Sequence, residues 1–143
     1  MYNCDLCRMV EDTDNVTYIA KMNYGTLYLN WNQIYYGRVM YIYDRHVKDI
    51  TEINITNLQA IMFEVSKVSK AIKDLFQADT VEVATLGNEV QHLHYHIIPR
   101  RKSDKNWGKP PWPHDNYFPD DKEKADLVKI IKAYLKVNGI IKR

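Results

Sequence analysis

The chain has 143 residues, 45% of them hydrophobic and 27% charged, with a formal net charge of +2 at pH 7. That length supports one globular domain over residues 1–143 with a continuous core, and the near balance of charge excludes a general attraction to nucleic acid or to a membrane surface. Its two cysteines cannot build a disulfide framework.

The N-terminus lacks the charged segment, apolar run and cleavage site of a signal peptide, and no stretch approaches a membrane span, so a cytoplasmic location is expected. Cys4 and Cys7 stand in a Cys-x-x-Cys arrangement. In a reducing compartment this spacing reads as half of a zinc site, within an N-terminal segment 1–15, or as a redox pair. The redox reading wants a strand leading into a helix, which the flanking residues do not offer. Residues 17–22 and 25–31 are rich in Tyr, Ile and Leu around Asn23-Tyr24-Gly25 and predict a hairpin. Gly37 then precedes an aromatic and β-branched run, 38–43, expected to be a central strand that delivers His46 just beyond its end.

Over residues 54–77, Leu58, Ile61, Met62, Val65, Val68, Ile72, Leu75 and Phe76 recur at spacings of three and four. They form one stripe of an amphipathic helix, capped by Asn54 or Thr56 and packed on one face of the sheet. Residues 80–86 and 91–98 read as two further strands, paired antiparallel, the second ended by Pro99. The stretch 101–121 is polar, basic and proline-rich, yet carries Trp107, Trp112, Tyr117 and Phe118; it is expected to be an ordered loop. A last helix, 122–138, carries Leu127, Ile130, Ile131, Tyr134 and Leu135 on one side and stops at Gly139.

Three of the five histidines, His92, His94 and His96, fall in one five-residue window. In an extended strand alternate side chains share a face, so all three rings are expected to meet at one spot. Imidazolium rings that close repel one another, and the cluster is expected to stay largely neutral near pH 7. Neutral imidazole is both a nucleophile and a metal ligand. Attack on phosphorus or carbonyl carbon and coordination of zinc both follow from the window alone.

Residues 86–100, Leu-Gly-Asn-Glu-Val-Gln-His-Leu-His-Tyr-His-Ile-Ile-Pro-Arg, resemble the signature of the histidine triad (HIT) superfamily of nucleotide hydrolases and transferases. The likeness extends to Cys4 and Cys7, to residues 30–46 and to residues 107–113. It implies an α+β fold, a five-stranded antiparallel sheet with one long helix packed on it, followed here by a C-terminal helix, and a homodimer. It implies covalent catalysis at the α-phosphorus of a dinucleoside polyphosphate or a nucleoside phosphoramidate, releasing a nucleoside monophosphate. His94 matches the nucleophile; His96 matches the neighbour that contacts phosphate oxygens or moves a proton, and Asn88 the amide that donates to a nonbridging oxygen.

In zinc-bearing relatives the first histidine of the motif joins a cysteine pair and an earlier histidine, here Cys4, Cys7, His46 and His92. Asn30 stands where many relatives bind the ribose through an acid, and Leu27, Leu29, Trp31 or Ile34 are candidates to hold the base. Arg100, with Arg101 and Lys105, is expected to bring positive charge to the nucleotide, while Trp107 and Trp112 close over its second half or pack on the dimer partner. Glu89 replaces a small hydroxyl residue and is tolerable beside phosphate only if it points away or pairs with Arg100 or Arg38. The rival reading is a catalytically silent, zinc-stabilised, nucleotide-binding dimer.

Overall fold

The computed structural model describes residues 4–142. In chain order these form α1 (Asp5–Met9), β1 (Tyr18–Lys21), β2 (Gly25–Leu29), β3 (Val39–Tyr43), a single 3-10 turn (Ile50–Glu52), α2 (Ile55–Leu75), β4 (Thr80–Ala84), β5 (His94–Arg100) and α3 (Asp121–Val137). The five strands make one antiparallel sheet in the order β1-β2-β3-β5-β4. After β3 the chain crosses through α2 to the edge strand β4 and returns as β5 into the centre. The histidine motif thereby lands beside β3. The α+β architecture with its five-stranded sheet and long helix is the one expected. Among the described residues no helix is long and apolar enough to cross a membrane.

Alternation along the strands divides the sheet into two faces. Leu27, Leu29, Val39, Tyr41, Tyr43, Tyr95 and Ile97 point to one side, where Ile61, Val65, Val68 and Ile72 of α2 and Leu127, Ile131 and Leu135 of α3 close the main core. Tyr28 and Ile42 point to the other, where they pack with Leu6 and Val10 around α1. Helix α2 begins where expected, Asn54 accepting from the Asn57 amide at 2.8 Å. Helix α3 starts one residue early because Asp120 caps it, accepting from the Glu123 amide at 2.9 Å.

The buried carboxylate of Glu64 is held by the Asn23 and Tyr24 amides at 2.9 and 3.0 Å and the Tyr41 hydroxyl at 2.6 Å. It ties α2 to the β1–β2 turn. Burial, then this hydrogen bond and the charge of Glu64, raise the Tyr41 phenol far above its ordinary range, so it stays a donor.

Two expectations for the last strand need correction. It begins at His94 rather than residue 91, because Leu93 is already engaged outside the ladder, donating to the Val47 carbonyl at 2.8 Å and accepting from the Tyr43 amide at 3.1 Å. It also runs through Pro99 to Arg100. Pairing with β3 stops at Val39 opposite Ile97, so Pro99 has only β4 beside it, a position at which its missing N–H is tolerated.

Candidate active site

Register places Met40 opposite His96 and Ile42 opposite His94, so both imidazoles rise from the sheet face turned away from α2. Their rings are 5.1 Å apart at 80°. Nδ1 of His94 lies 2.6 Å from the His92 carbonyl oxygen. A carbonyl can only accept, so the His94 proton sits on Nδ1 and, in the neutral ring, the lone pair is on Nε2. Such a ring, oriented by its own backbone, can serve as a nucleophile.

His96 has the opposite tautomer. Its Nδ1 receives a hydrogen bond from the Arg38 guanidinium at 3.0 Å, and a guanidinium can only donate. The proton of His96 is therefore on Nε2. Desolvation first, then the positive charge of Arg38 and the neighbouring His94, draw its pKa down to about 3.

Arg38 is 4% exposed, and no carboxylate among the described residues pairs with it. Its other contacts are a donation to Nε2 of His114 at 3.3 Å and the face of Trp112, 5.3 Å from guanidinium carbon to ring centroid. Its Nε is buried with no hydrogen-bond partner among the described residues. Burial lowers its pKa to about 10, which leaves it cationic at neutral pH. Gly37 before it has φ +98°, and a Cβ there would meet the Phe76 ring at 2.5 Å, so only glycine lets the chain turn into β3 at this point.

The loop 101–120 has no helix or strand and is laced onto the β2–β3 connection as a strap. The Gln33 amide donates to the Tyr117 carbonyl at 2.7 Å, Asn32 Nδ2 to Asn116 Oδ1 at 2.6 Å, and the Tyr35 hydroxyl to the Pro111 carbonyl at 2.7 Å. This fastening sets Trp112 with its ring 5.3 Å from that of His96. His114 also lines a cavity of about 520 Å³ with Ile34, Tyr35 and Lys105. Trp107 lies elsewhere, beside Arg100 in a second cavity.

Several expected site residues are placed differently. His92 does not share the spot of His94 and His96: its ring packs against His46 at 5.2 Å, because the chain bends at residue 92 before the strand begins. Arg100, 2% exposed, spends its guanidinium on Glu82, on Asp104 at 2.9 Å and on the Asn106 carbonyl at 2.9 Å, and stacks on Tyr35. It is a strut between β5 and the strap, and the cation beside the triad is Arg38. Asn88 and Glu89 lie exposed in the bend 88–90, and of the two alternatives for Glu89 a pair with Arg100 or Arg38 does not form. Leu27 and Leu29 belong to the core under the helices, while Trp31 and Ile34 are exposed. Asn30 gives its Nδ2 to the Asn32 carbonyl at 3.0 Å.

Sequence reasoning missed Arg38 as a site residue and missed His114 and Gln33 altogether. Arg38 had one readable signal: it shares a strand face with Met40 and Ile42, the neighbours of the two histidines across the register. Gln33, buried, accepts from the Gly37 amide at 2.8 Å and donates to the Asn30 and Arg38 carbonyls at 2.8 and 2.9 Å, holding the connection in shape. Nothing local marks such a clamp.

Cys4, Cys7, His46 and His92 come together as expected, with one potential ligand atom from each and all four within 4.8 Å of one another. Cys4 Sγ lies 3.5 Å and Cys7 Sγ 3.4 Å from His92 Nδ1, and Cys7 Sγ 3.2 Å from His46 Nδ1. Tetrahedral bonds of about 2.3 Å to sulfur and 2.0 Å to nitrogen separate such atoms by about 3.5 Å. Nε2 of His92 donates to the Tyr43 carbonyl at 2.7 Å, which turns the Nδ1 lone pair toward the sulfurs, the usual support of a ligating histidine. Burial and the adjacent Cys4 push the Cys7 thiol above its ordinary range, so a thiolate pair there wants a cation. The donor set fits zinc.

Residues 11–103 match the HIT domain family. Over 82 residues the chain is 30% identical to a bis(5'-nucleosyl)-tetraphosphatase (asymmetrical) of Schizosaccharomyces pombe, a match covering 54% of this chain and 45% of that protein, so it spans less than half of the relative. A histidine triad protein of Bradyrhizobium japonicum superposes with a TM-score of 0.76 at 25% identity, covering 94% of this chain and 96% of that one. A zinc-bound histidine triad family protein of Mycobacterium smegmatis gives 0.73 at 20% identity, covering 95% and 97%. With the family match spanning most of its length and the paired histidines on the expected strand, the chain belongs to the HIT domain family.

Proposed function

We propose that the protein is a nucleotide hydrolase or nucleotidyl transferase acting at the α-phosphorus of a nucleoside phosphate derivative. The observation that carries this is the opposed pair of tautomers, a lone pair on Nε2 of His94 beside an N–H on Nε2 of His96. His94 Nε2 bonds to phosphorus as the bond to the leaving group breaks, and the positive charge that develops on the ring is shared with the His92 carbonyl through Nδ1–H. Water, or another acceptor, then attacks phosphorus and gives up its proton to solvent, the P–N bond breaks, and the electron pair returns to Nε2.

Asn88, exposed at the bend, is free to donate to a nonbridging oxygen, and Asn30 to meet the ribose. The tetraphosphatase relative supports a nucleotide substrate. Zinc held by Cys4, Cys7, His46 and His92 would be structural, a closed four-ligand set that pins α1 to the triad segment. A homodimer in the cytoplasm completes the reading.

The test is incubation with diadenosine tetraphosphate and with adenosine 5'-phosphoramidate, following nucleoside monophosphate release by chromatography. Wild type releases AMP from at least one, and His94→Ala loses at least a thousandfold in kcat/KM, the scale of a lost covalent step (about 10³ or more). Equal turnover by the variant sinks the assignment. AMP binding by calorimetry with no turnover of either compound establishes the silent binder instead.

A further inference from the structure

Arg38 is a buried cation with which no carboxylate among the described residues pairs. Desolvating a guanidinium without a countercharge is costly, and this one is kept beside the reacting pair by Gly37 and by the packing of Trp112. Its two oriented donations both go to imidazole nitrogens. His114 is set to receive one because its own Nδ1 donates to the Asp115 carbonyl at 2.6 Å, which leaves Nε2 as the acceptor. His96 receives the other. The cluster is consistent in every proton: Arg38 donates, both rings accept, and each ring has one N–H turned elsewhere.

Resting on the reading above, we propose that Arg38 is a positioning residue which locks His96 as a neutral Nε2–H donor, and that the enzyme thereby selects substrates whose leaving group departs as an anion. His96 then has no proton to give up at neutral pH. Its Nε2–H can hydrogen-bond to phosphate or leaving-group oxygen but cannot pass that proton across, because the product would be an imidazolate. A phosphate, polyphosphate or nucleotide leaving group needs no such transfer: the P–O bond breaks, oxygen keeps the electron pair, and the buried charge of Arg38 favours the anion that forms. An amine leaving group needs a proton on nitrogen as the P–N bond breaks. Among the described residues neither Arg38, which stays cationic at neutral pH although burial lowers its pKa to about 10, nor His114, whose Nδ1–H is spent on a carbonyl, supplies one. The low pKa of His96 agrees with the same geometry.

The experiment compares kcat/KM for diadenosine tetraphosphate, for the p-nitrophenyl ester of AMP and for adenosine 5'-phosphoramidate in wild type, Arg38→Met and Arg38→Lys. Wild type is expected to prefer the two anionic leaving groups by about 100-fold or more, the usual lower reach of general acid catalysis. Arg38→Met frees Nδ1 of His96 to take up a proton, and the preference shrinks at least tenfold. Arg38→Lys, which keeps a cation and a donor, restores part of it. A misfolded variant lowers all three rates together and leaves the ratio alone, so the ratio reports positioning. Nitrogen-15 NMR of the wild-type protein at pH 7 supplies a measurement free of any variant: His96 shows the neutral Nε2–H pattern.

A phosphoramidate preferred or equal in wild type, or His96 found as Nδ1–H or as imidazolium, overturns the inference while AMP release through His94 stands. If wild type turns over none of the three, the reading of the reaction falls and this inference falls with it.

Discussion

At the scale of single residues, the proton on each ring is dictated by the one atom its other nitrogen faces. A carbonyl beside His94 and a guanidinium beside His96 set the two rings in opposite states, which sequence spacing alone does not distinguish. The pairing of His96 with Arg38 also has a pH signature. The folded chain holds the His96 pKa near about 3 against an ordinary 6.5, so between these values the unfolded chain binds more protons. Stability therefore falls as pH drops below about 6.5 and is unaffected by this residue above it. Between pH 7 and pH 4.5 the loss from His96 should be about 1–2 kcal/mol, allowing for relaxation around the ring. Urea unfolding at both pH values measures it: His96→Asn should lose that much less than wild type, and parallel losses would show that His96 ionises freely in the fold.

At the scale of elements, α2 does more than cover the sheet. Through Glu64 it fastens the β1–β2 turn, where Gly25 has no room for a side chain: a Cβ there would sit 2.2 Å from the Tyr41 ring. Glu64→Ala removes the acceptor of two half-buried backbone amides and leaves the Tyr41 phenol buried without that partner. A loss of about 2–3 kcal/mol in unfolding free energy is expected, read from the urea midpoint. A loss under about 0.5 kcal/mol would mean that the carboxylate is idle. The helix itself is legible in the sequence because its apolar spacing repeats over five turns; the clamp is not, since a Glu within an amphipathic helix ordinarily reads as a solvated position.

At the scale of the whole molecule, two ties bind distant parts of the chain to the strand of His94 and His96. One is the strap, joined to the β2–β3 connection through Asn32, Gln33 and Tyr35. The other is the cluster of Cys4, Cys7, His46 and His92, which gathers three separate segments around one point. A metal that binds only the folded chain stabilises it by about 4 kcal/mol at a free concentration a thousandfold above its Kd. For a chain of this size that is about 10 °C or more in Tm. Purified protein should therefore contain one zinc per chain by elemental analysis, and chelation should lower Tm by that order. Cys4→Ser should carry less than a tenth of the metal. An unchanged Tm after complete zinc removal would show that the cluster has no share in stability.

By itself the sequence determined the elements and the motif. Alternation, three-and-four spacing and turn residues are local, so the strands, both long helices and the triad with its cysteine pair could be read from near neighbours, apart from strand ends that depend on what lies alongside. What only the tertiary structure decided was which groups meet. Arg38 reaches His96 because β3 and β5 are adjacent, Trp112 reaches both and His114 reaches Arg38 because the strap is fastened, and Arg100 is withdrawn because Glu82 and Asp104 claim it. Hydrogen bonds and charges act over a few ångströms between residues tens of positions apart, and chain folding alone sets those distances.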